Sequence, residues 1–419
     1  MFEKLNPFLD KYSFESIRYF LIVALMSLVA FSIAFGYKYG QRILLVTLII
    51  WVFTVKKEDF KHLNNTPFII FGLIIISHII SLFWSQNIQS GANYIASIVK
   101  YIVIPMLIIL TIIKKEHLTY ILTAFIFGMF INEIISYLIY FDLYETAYSK
   151  IHRYPVGFIN HIAYSVLVAF TAILILNQIR TLENKYLKIV YIIFFITMTT
   201  NLVISSGRTG YVVFFGSLLV LLFTYYKVTW KNLLQIILFP AIVFYISYKL
   251  NEDVQKRIEA TIKAVDNVSN NSNYDTSFGA RLGFYPMSLE ILSQEHNSFI
   301  FGIGAGDIIH EIKESNTRIK MFGTQHRHTH NSFLDTYVLT GVFGLIIFIM
   351  FFVYLWKQYI KDKEIKLIQQ LFLISITISM FGDHLFRNKQ IMIFIAIFAS
   401  IILIYSRYEK KEQGLKNEV

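Results

Sequence analysis

The sequence lacks cysteine altogether, and only 16% of its 419 residues are charged. Without cysteine there can be no disulfides, no thiolate metal ligands and no cysteine nucleophile, and the redox compartment is left open. No D-x-D pair is available to hold a divalent ion on a sugar nucleotide. Nor is there a G-x-G-x-x-G fingerprint after a strand, which excludes the usual dinucleotide cradle. No internal repeat at a solenoid period is evident. A soluble domain is nearer a quarter charged, so the shortage of charge already points away from an aqueous fold.

Apolar side chains are plentiful, at 56% of the chain. They are gathered into runs instead of alternating with polar residues. About 18 or more mostly apolar residues suffice to cross about 30 Å of hydrocarbon as a helix. Twelve segments qualify as candidates: roughly 17–35, 42–55, 67–84, 92–113, 118–141, 161–178, 187–205, 209–226, 231–249, 331–356, 366–386 and 389–406. The second is short. A β-barrel is disfavoured, because barrel strands alternate over about ten residues. The expectation is an all-α integral membrane protein with about twelve transmembrane helices. The polar opening MFEKLNPFLDKYSFESIR does not read as a cleaved signal peptide.

Basic residues in short loops are retained on the cytoplasmic side. On the twelve-helix reading, one set of segments holds 21 Lys and Arg: the N-terminus, 56–61, 114–115, 180–188, 227–231, 357–366 and the tail. The short loops of the other face hold 7: Lys38, Arg42, Lys150, Arg153, Arg208, Arg387 and Lys389. This places both termini in the cytoplasm and the long loop at 250–330 outside, which is the periplasm if the cell is Gram-negative. The chain then divides into an N-terminal membrane part (1–249), the large outer loop (250–330) and a C-terminal membrane part (331–419). The net charge of +11 follows from this bias. The cations are dispersed among hydrophobic helices, so they make no nucleic-acid footprint.

The outer loop has the most soluble character. Val254, Ile258, Ile262 and Val265 form one stripe of a possible amphipathic helix. NNSNYDTS reads as a turn or linker. A helix is expected from about Arg281, with Pro286 interrupting or bending it. In FGIGAGD, three glycines spaced by two permit tight turns and close approach to a ligand. The loop ends in HRHTH, directly before an apolar run.

Ionisable groups at membrane depth or at helix mouths are costly and point to function. The outer side gathers Arg208, Arg281, His326, His328, His330, Asp383, His384 and Arg387. Arg208, in SSGRTGY, could be an interfacial arginine snorkelling to headgroups, but Gly207 and Gly210 suggest open space beside it. Arg281 could be a solvated loop residue. The H-x-H-x-H run could hold a metal, since alternate residues of an extended strand point the same way. The only nearby carboxylate is Asp335, one turn into the following helix. A single histidine acting as general base is the favoured alternative, with His330 at the helix mouth best placed. Lys100 and Glu133 fall inside two helices and could pair with each other or line a polar cavity.

These residues carry a resemblance. His330-Asn331, then nine residues, Gly341, two residues and Gly344 resembles the H-[NSQ]-x9-G-x-x-G signature of the bacterial O-antigen ligase family. The arginine in SSGRTGY (Arg208), the S-x-G-A-R-L element around Arg281 and the GD-x-x-x-R piece (Gly382, Asp383, Arg387) fit the same family, in the same order. The resemblance implies a membrane-embedded glycosyltransferase of the lipid-linked-donor (GT-C) type. It implies transfer of a glycan from undecaprenyl diphosphate to the lipid A-core oligosaccharide at the periplasmic face of the inner membrane, inverting and without metal or other cofactor.

In that setting Arg208 and Arg281 would stabilise charge on the leaving diphosphate, and His330 would take the acceptor's proton. Asn331, Asp383, Arg387 and Lys100 are further candidates for substrate binding. Gly341 and Gly344 would allow close helix packing below the site. The expected partners are the lipid-linked donor, the lipid A-core acceptor and membrane lipids, with no nucleic acid. The same superfamily offers two alternatives, an O-antigen polymerase and a protein O-oligosaccharyltransferase. A transporter would suit the helix count, but no repeat symmetry between the halves is evident.

Overall fold

The structure is a computed structural model. It describes residues 14–414 except 62, 153, 206, most of 226–251, 272, 295, 296 and 319–327. Among the described residues the architecture is all-helical. Among the described residues, ten helices are long and apolar enough to cross a membrane, so the chain is a multi-pass membrane protein. The expected span 42–55 is a helix, α2 (Tyr37–Thr54). Its first turn, YKYGQR, is polar, so the apolar part falls short of a full crossing. The expected span 231–249, most of its residues, lies outside the described residues, as do Lys4, Lys11, Arg153 and His326.

Helix α1 (Phe14–Ser32) precedes α2; α3 (Thr66–Ser81) and α4 (Ile88–Ile112) follow. Within α4 the turn Val99–Val103 widens to a π-helix. Pro105 has no N–H for the carbonyl one turn back, and the widened turn just before it accommodates that missing bond. Next come α5 (Leu118–Tyr140), the short α6 (Ala147–His152), α7 (His161–Thr181), α8 (Lys185–Ser205) and α9 (Arg208–Tyr225). The outer loop contributes α10 (Glu252–Asn271), α11 (Ser277–Ser293), α12 (Ser298–Phe301) and α13 (Ile308–Arg318). The chain closes with α14 (Ser332–Trp356), α15 (Lys363–Gly382) and α16 (Lys389–Glu412).

Two helices form the centre. About 78% of the apolar window of α7 and 83% of that of α16 is buried inside the protein, against 22% for α8 and 28% for α9. Lipid offers no hydrophobic drive between helices, so packing contacts must hold them. Phe125, Phe170, Phe372, Phe394 and Phe398 interlock there, with ring centroids 4.5–6.2 Å apart. At the end of the bundle where α15 begins, Glu364 accepts from Arg180, Asn177 and Tyr225. That one carboxylate ties α7, α9 and α15 together.

The outer loop departs from expectation in three ways. Helix α10 exists, but Ile262 and Val265 are 64% and 45% exposed, whereas Ala264 is fully buried. Helix α11 starts a turn before Arg281, because Thr276 caps it by accepting from the Gly279 N–H. Pro286 sits inside α11 without ending it.

The third departure concerns the glycines. Gly302, Gly304 and Gly306 approach protein backbone: a Cβ there would come within 2.4 Å of Leu339 and Thr340, 3.0 Å of Ser85 and 1.9 Å of Asn87. Gly341 adopts φ 68°, ψ −168° and breaks α14. The Val338 and Leu339 carbonyls accept instead from the Ile303 and Gly304 N–H groups, at 2.9 and 3.2 Å. Gly341 therefore serves a break into which the glycine-rich loop docks, and Gly344 faces Thr340 of its own helix. Asp307 completes the docking by accepting from Ser85, Gln86 and Asn87 at 2.9–3.0 Å.

Candidate active site

One end of the bundle collects the starts of α9, α14 and α16, the end of α15, and α11. Asn331 caps α14: its side-chain oxygen accepts from the Phe333 and Leu334 N–H groups, both at 3.0 Å, and its amide donates to the Tyr285 hydroxyl at 3.0 Å. A residue just ahead of such a cap turns sharply, and His330 does so with φ 49°. The left-handed region is costly for a side chain of this size, so the surroundings must hold it. They do so through Asp335, one turn into α14. Its Oδ1 accepts from the Thr329 N–H at 2.9 Å and the Thr329 hydroxyl at 3.2 Å.

The His330 ring is fixed as well. Nδ1 lies 3.1 Å from Oδ1 of Asp383, the C-cap of α15. A carboxylate can only accept, so His330 carries its proton on Nδ1 and its basic nitrogen is Nε2. The backbone around Asp383 is tied to the same helix mouth. Ser332 Oγ donates to the Asp383 carbonyl at 3.0 Å and accepts from the Leu385 N–H at 2.9 Å. Burial alone would raise the Asp383 pKa, but the hydrogen bond from His330 and the nearby histidines hold it down at about 2. His328, whose Nδ1 accepts from the His330 N–H at 3.2 Å, is pushed down to about 3 by burial and then by His330. At neutral pH the group therefore holds an aspartate anion and a neutral His328.

The two arginines come to this end from different helices. Arg281 reaches from α11 to the carbonyl of Gly382, which accepts from Nε at 3.4 Å. Burial lowers its pKa while the Asp383 charge opposes that shift; the guanidinium remains cationic. Arg208 is the exposed first residue of α9. Its neighbour Thr209 packs on Gly382, where a Cβ would sit 3.0 Å from the Thr209 hydroxyl. Gly207 and Gly210 are needed for packing: a Cβ on either would collide with Ser165 of α7 at 2.2 and 2.5 Å. The glycines beside Arg208 thus serve helix contact, not open space.

Beneath His330 lies a second polar layer. His384 Nε2 is 2.7 Å and Arg387 Nε 3.5 Å from Oδ2 of Asp335. Neither is aligned as a hydrogen bond, so these are close polar contacts. The Arg387 guanidinium stacks 4.8 Å over the Tyr94 ring. Asp335 is thus shared between the His330 turn and Arg387. It was visible from sequence only as the nearest carboxylate; its spacing of five from His330, four beyond the Asn331 cap, was the signal.

Lys100 lies in the π-turn, 5.4 Å from the Tyr101 ring centroid. It does not pair with Glu133, which is buried in α5. His328, His330 and Asp383 each offer a ligand atom within 4.8 Å of the others and could hold a metal ion. In the present arrangement His330 Nδ1 and Asp383 Oδ1 are engaged with each other.

Fold and site together define a multi-pass helical membrane protein with a cationic, histidine-bearing polar centre at one end of its bundle. Residues 193–349 match the family model described as O-antigen ligase. The members of this family are glycosyltransferase-like enzymes, and the family implies a lipid-linked glycan donor and a lipid acceptor in general. The matched stretch contains Arg208, Arg281, His330, Gly341 and Gly344; Asp383 and Arg387 fall beyond it. No curated protein matches the chain.

Proposed function

We propose that this protein is an O-antigen ligase. In this reading it transfers a glycan from undecaprenyl diphosphate to the lipid A-core oligosaccharide at the periplasmic face of the inner membrane, with inversion and without a metal. The observation that carries the reading is the His330–Asp383 pair at 3.1 Å, with His330 held in a left-handed turn at a helix mouth. A carboxylate that fixes the tautomer and steadies the imidazolium is what a general base needs.

In the reaction, the acceptor hydroxyl attacks the anomeric carbon and gives its proton to His330 Nε2. The bond from that carbon to the diphosphate oxygen breaks, and both electrons leave with the lipid diphosphate. Arg208 and Arg281 bind the phosphate oxygens as charge grows on them; guanidinium forks stay charged and suit this geometry. The diphosphate is already a good leaving group, so no acid is required on that side.

Purified protein, given undecaprenyl-diphosphate glycan and three acceptors in parallel, tests the reading. Product on lipid A-core supports the ligase. Product on a second lipid-linked glycan would make it a polymerase, and product on a peptide would make it a protein oligosaccharyltransferase.

A further inference from the structure

One turn after Arg281 on α11, the hydroxyl of Tyr285 accepts a hydrogen bond from the side-chain amide of Asn331 at 3.0 Å. The direction of that bond is fixed by the far end of the same amide. Asn331 Oδ1 accepts from the Phe333 and Leu334 N–H groups, so the amide nitrogen is the atom that faces the phenol. The phenol oxygen is therefore an acceptor here, and its own proton remains to be donated. Among the described residues no group accepts it. The side chain is 46% exposed, so the proton is open to a ligand at the mouth of α14.

The surroundings define which ligand suits it. Residues four apart share one face of a helix, so Arg281 and Tyr285 lie on the same side of α11. The Phe284 ring packs 5.6 Å from that of His330, and Asn331 follows His330 directly. The hydroxyl thus stands between the turn that carries Arg281 and the turn that carries the base. Leu282 and Leu289, 36% and 56% exposed, continue this side of α11 as an apolar stripe, whereas Phe284, Met287 and Ile291 are buried on the other. A hydrogen-bond donor and a cation bordered by exposed leucines match an anionic head on a long apolar chain. A phosphate oxygen also takes a stronger, charge-assisted bond from the phenol than a sugar hydroxyl does. A tyrosine that merely marks the membrane interface needs only water at its tip; this one is held by the cap of the helix that His330 precedes.

On the reading given above, on which this inference rests, we propose that Tyr285 is a donor-binding residue. Its O–H donates to a phosphate oxygen of the lipid diphosphate beside Arg281, and the Asn331 amide holds the phenol in place for that contact. No bond is made or broken at the phenol. It keeps its proton as the diphosphate leaves, and the hydrogen bond strengthens as charge grows on the phosphate oxygens.

The test compares the full-length protein with its Tyr285→Phe variant, which keeps the half-exposed ring and removes only the hydroxyl. Binding of undecaprenyl diphosphate and of uncharged undecaprenol is titrated in detergent, and thermal midpoints are recorded. The variant is expected to bind the diphosphate about tenfold more weakly, as the loss of one hydrogen bond to a charged group implies. Its binding of undecaprenol and its midpoint should match the wild type. In transfer to lipid A-core, donor KM should rise about tenfold while acceptor KM stays the same. Unchanged diphosphate binding overturns the proposal. An equal loss of undecaprenol binding would make the residue a packing surface for the lipid chain, and a lowered midpoint with binding intact would make its bond to Asn331 purely structural; either overturns it. A rise confined to acceptor KM would place the hydroxyl on the acceptor and overturn the donor assignment. If the variant loses diphosphate binding as expected but the wild type transfers glycan to no acceptor, the ligase reading fails while the diphosphate contact stands.

Discussion

Nδ1 of His330 and Oδ1 of Asp383 lie 3.1 Å apart, although 53 residues separate them in the chain. The pair joins the mouth of one membrane helix to the end of another, and it determines which ring nitrogen of His330 is basic. Asp383→Asn tests that function with little change in shape. Asparagine can offer its amide to Nδ1 and favour the wrong tautomer. Transfer should fall by about 10²-fold or more, while donor binding, measured by equilibrium titration, stays within a few-fold. Near-normal transfer would mean that the aspartate does not orient the base.

The arginines are expected to act through fork geometry as well as charge. Arg281→Ala and Arg208→Ala should each abolish detectable transfer while the protein still reaches the membrane. Arg281→Lys should recover only a small part of the activity, because a lysine cannot grip two phosphate oxygens as a planar fork. Steady-state kinetics on the purified variants would check this; full activity in either alanine variant removes that arginine from the chemistry.

The fold was legible from sequence where one physical signal dominates. Apolar runs between charged loops located the membrane helices, because length and hydropathy alone decide whether a helix can span. The ion contacts were not legible. Asp335 and Arg387 are 52 residues apart, and nothing local says that the turn between α15 and α16 folds over the start of α14. The glycines misled for a related reason. In sequence Gly207, Gly210, Gly302 and Gly306 suggest room for a ligand, whereas each is filled by the protein's own neighbours. A missing Cβ looks the same in sequence whether ligand, backbone or another helix takes its place. His330 and the two arginines stand out in the sequence because ionisable side chains at helix mouths are rare.

Gly341 makes a sharp stability prediction. Its φ of 68° strains any other residue, and a Cβ there would lie 2.0 Å from the Ile300 carbonyl oxygen. Gly341→Ala should therefore destabilise by about 2–3 kcal/mol or more and undock the glycine-rich loop. Gly344→Ala should cost less, since its nearest neighbour is the side chain of Thr340. Thermal unfolding in detergent would rank the two; equal midpoints would contradict the account of the helix break.

Acid should loosen the site in a defined direction. His328 is held down at about 3 when folded, whereas an unfolded imidazole titrates near 6.5. Below that value the unfolded chain binds more protons, so stability falls as pH drops from about 6.5 toward 3. Asp383, held at about 2 against an ordinary value near 3.9, adds a further loss below about pH 4. Thermal midpoints measured between pH 4 and 8 should decline on the acid side in the wild type and decline less in His328→Gln. A parallel decline in both proteins would remove His328 as a cause.

The central claim is that His330 is the base of a metal-independent glycan transfer, and single-turnover transfer by the EDTA-treated protein tests it most directly. The wild type should transfer glycan at its untreated rate, and His330→Gln should bind the lipid-linked donor normally yet form no product. Product from His330→Gln, or a loss of wild-type activity on chelation that zinc restores, would contradict the account and favour a metal held by His328, His330 and Asp383.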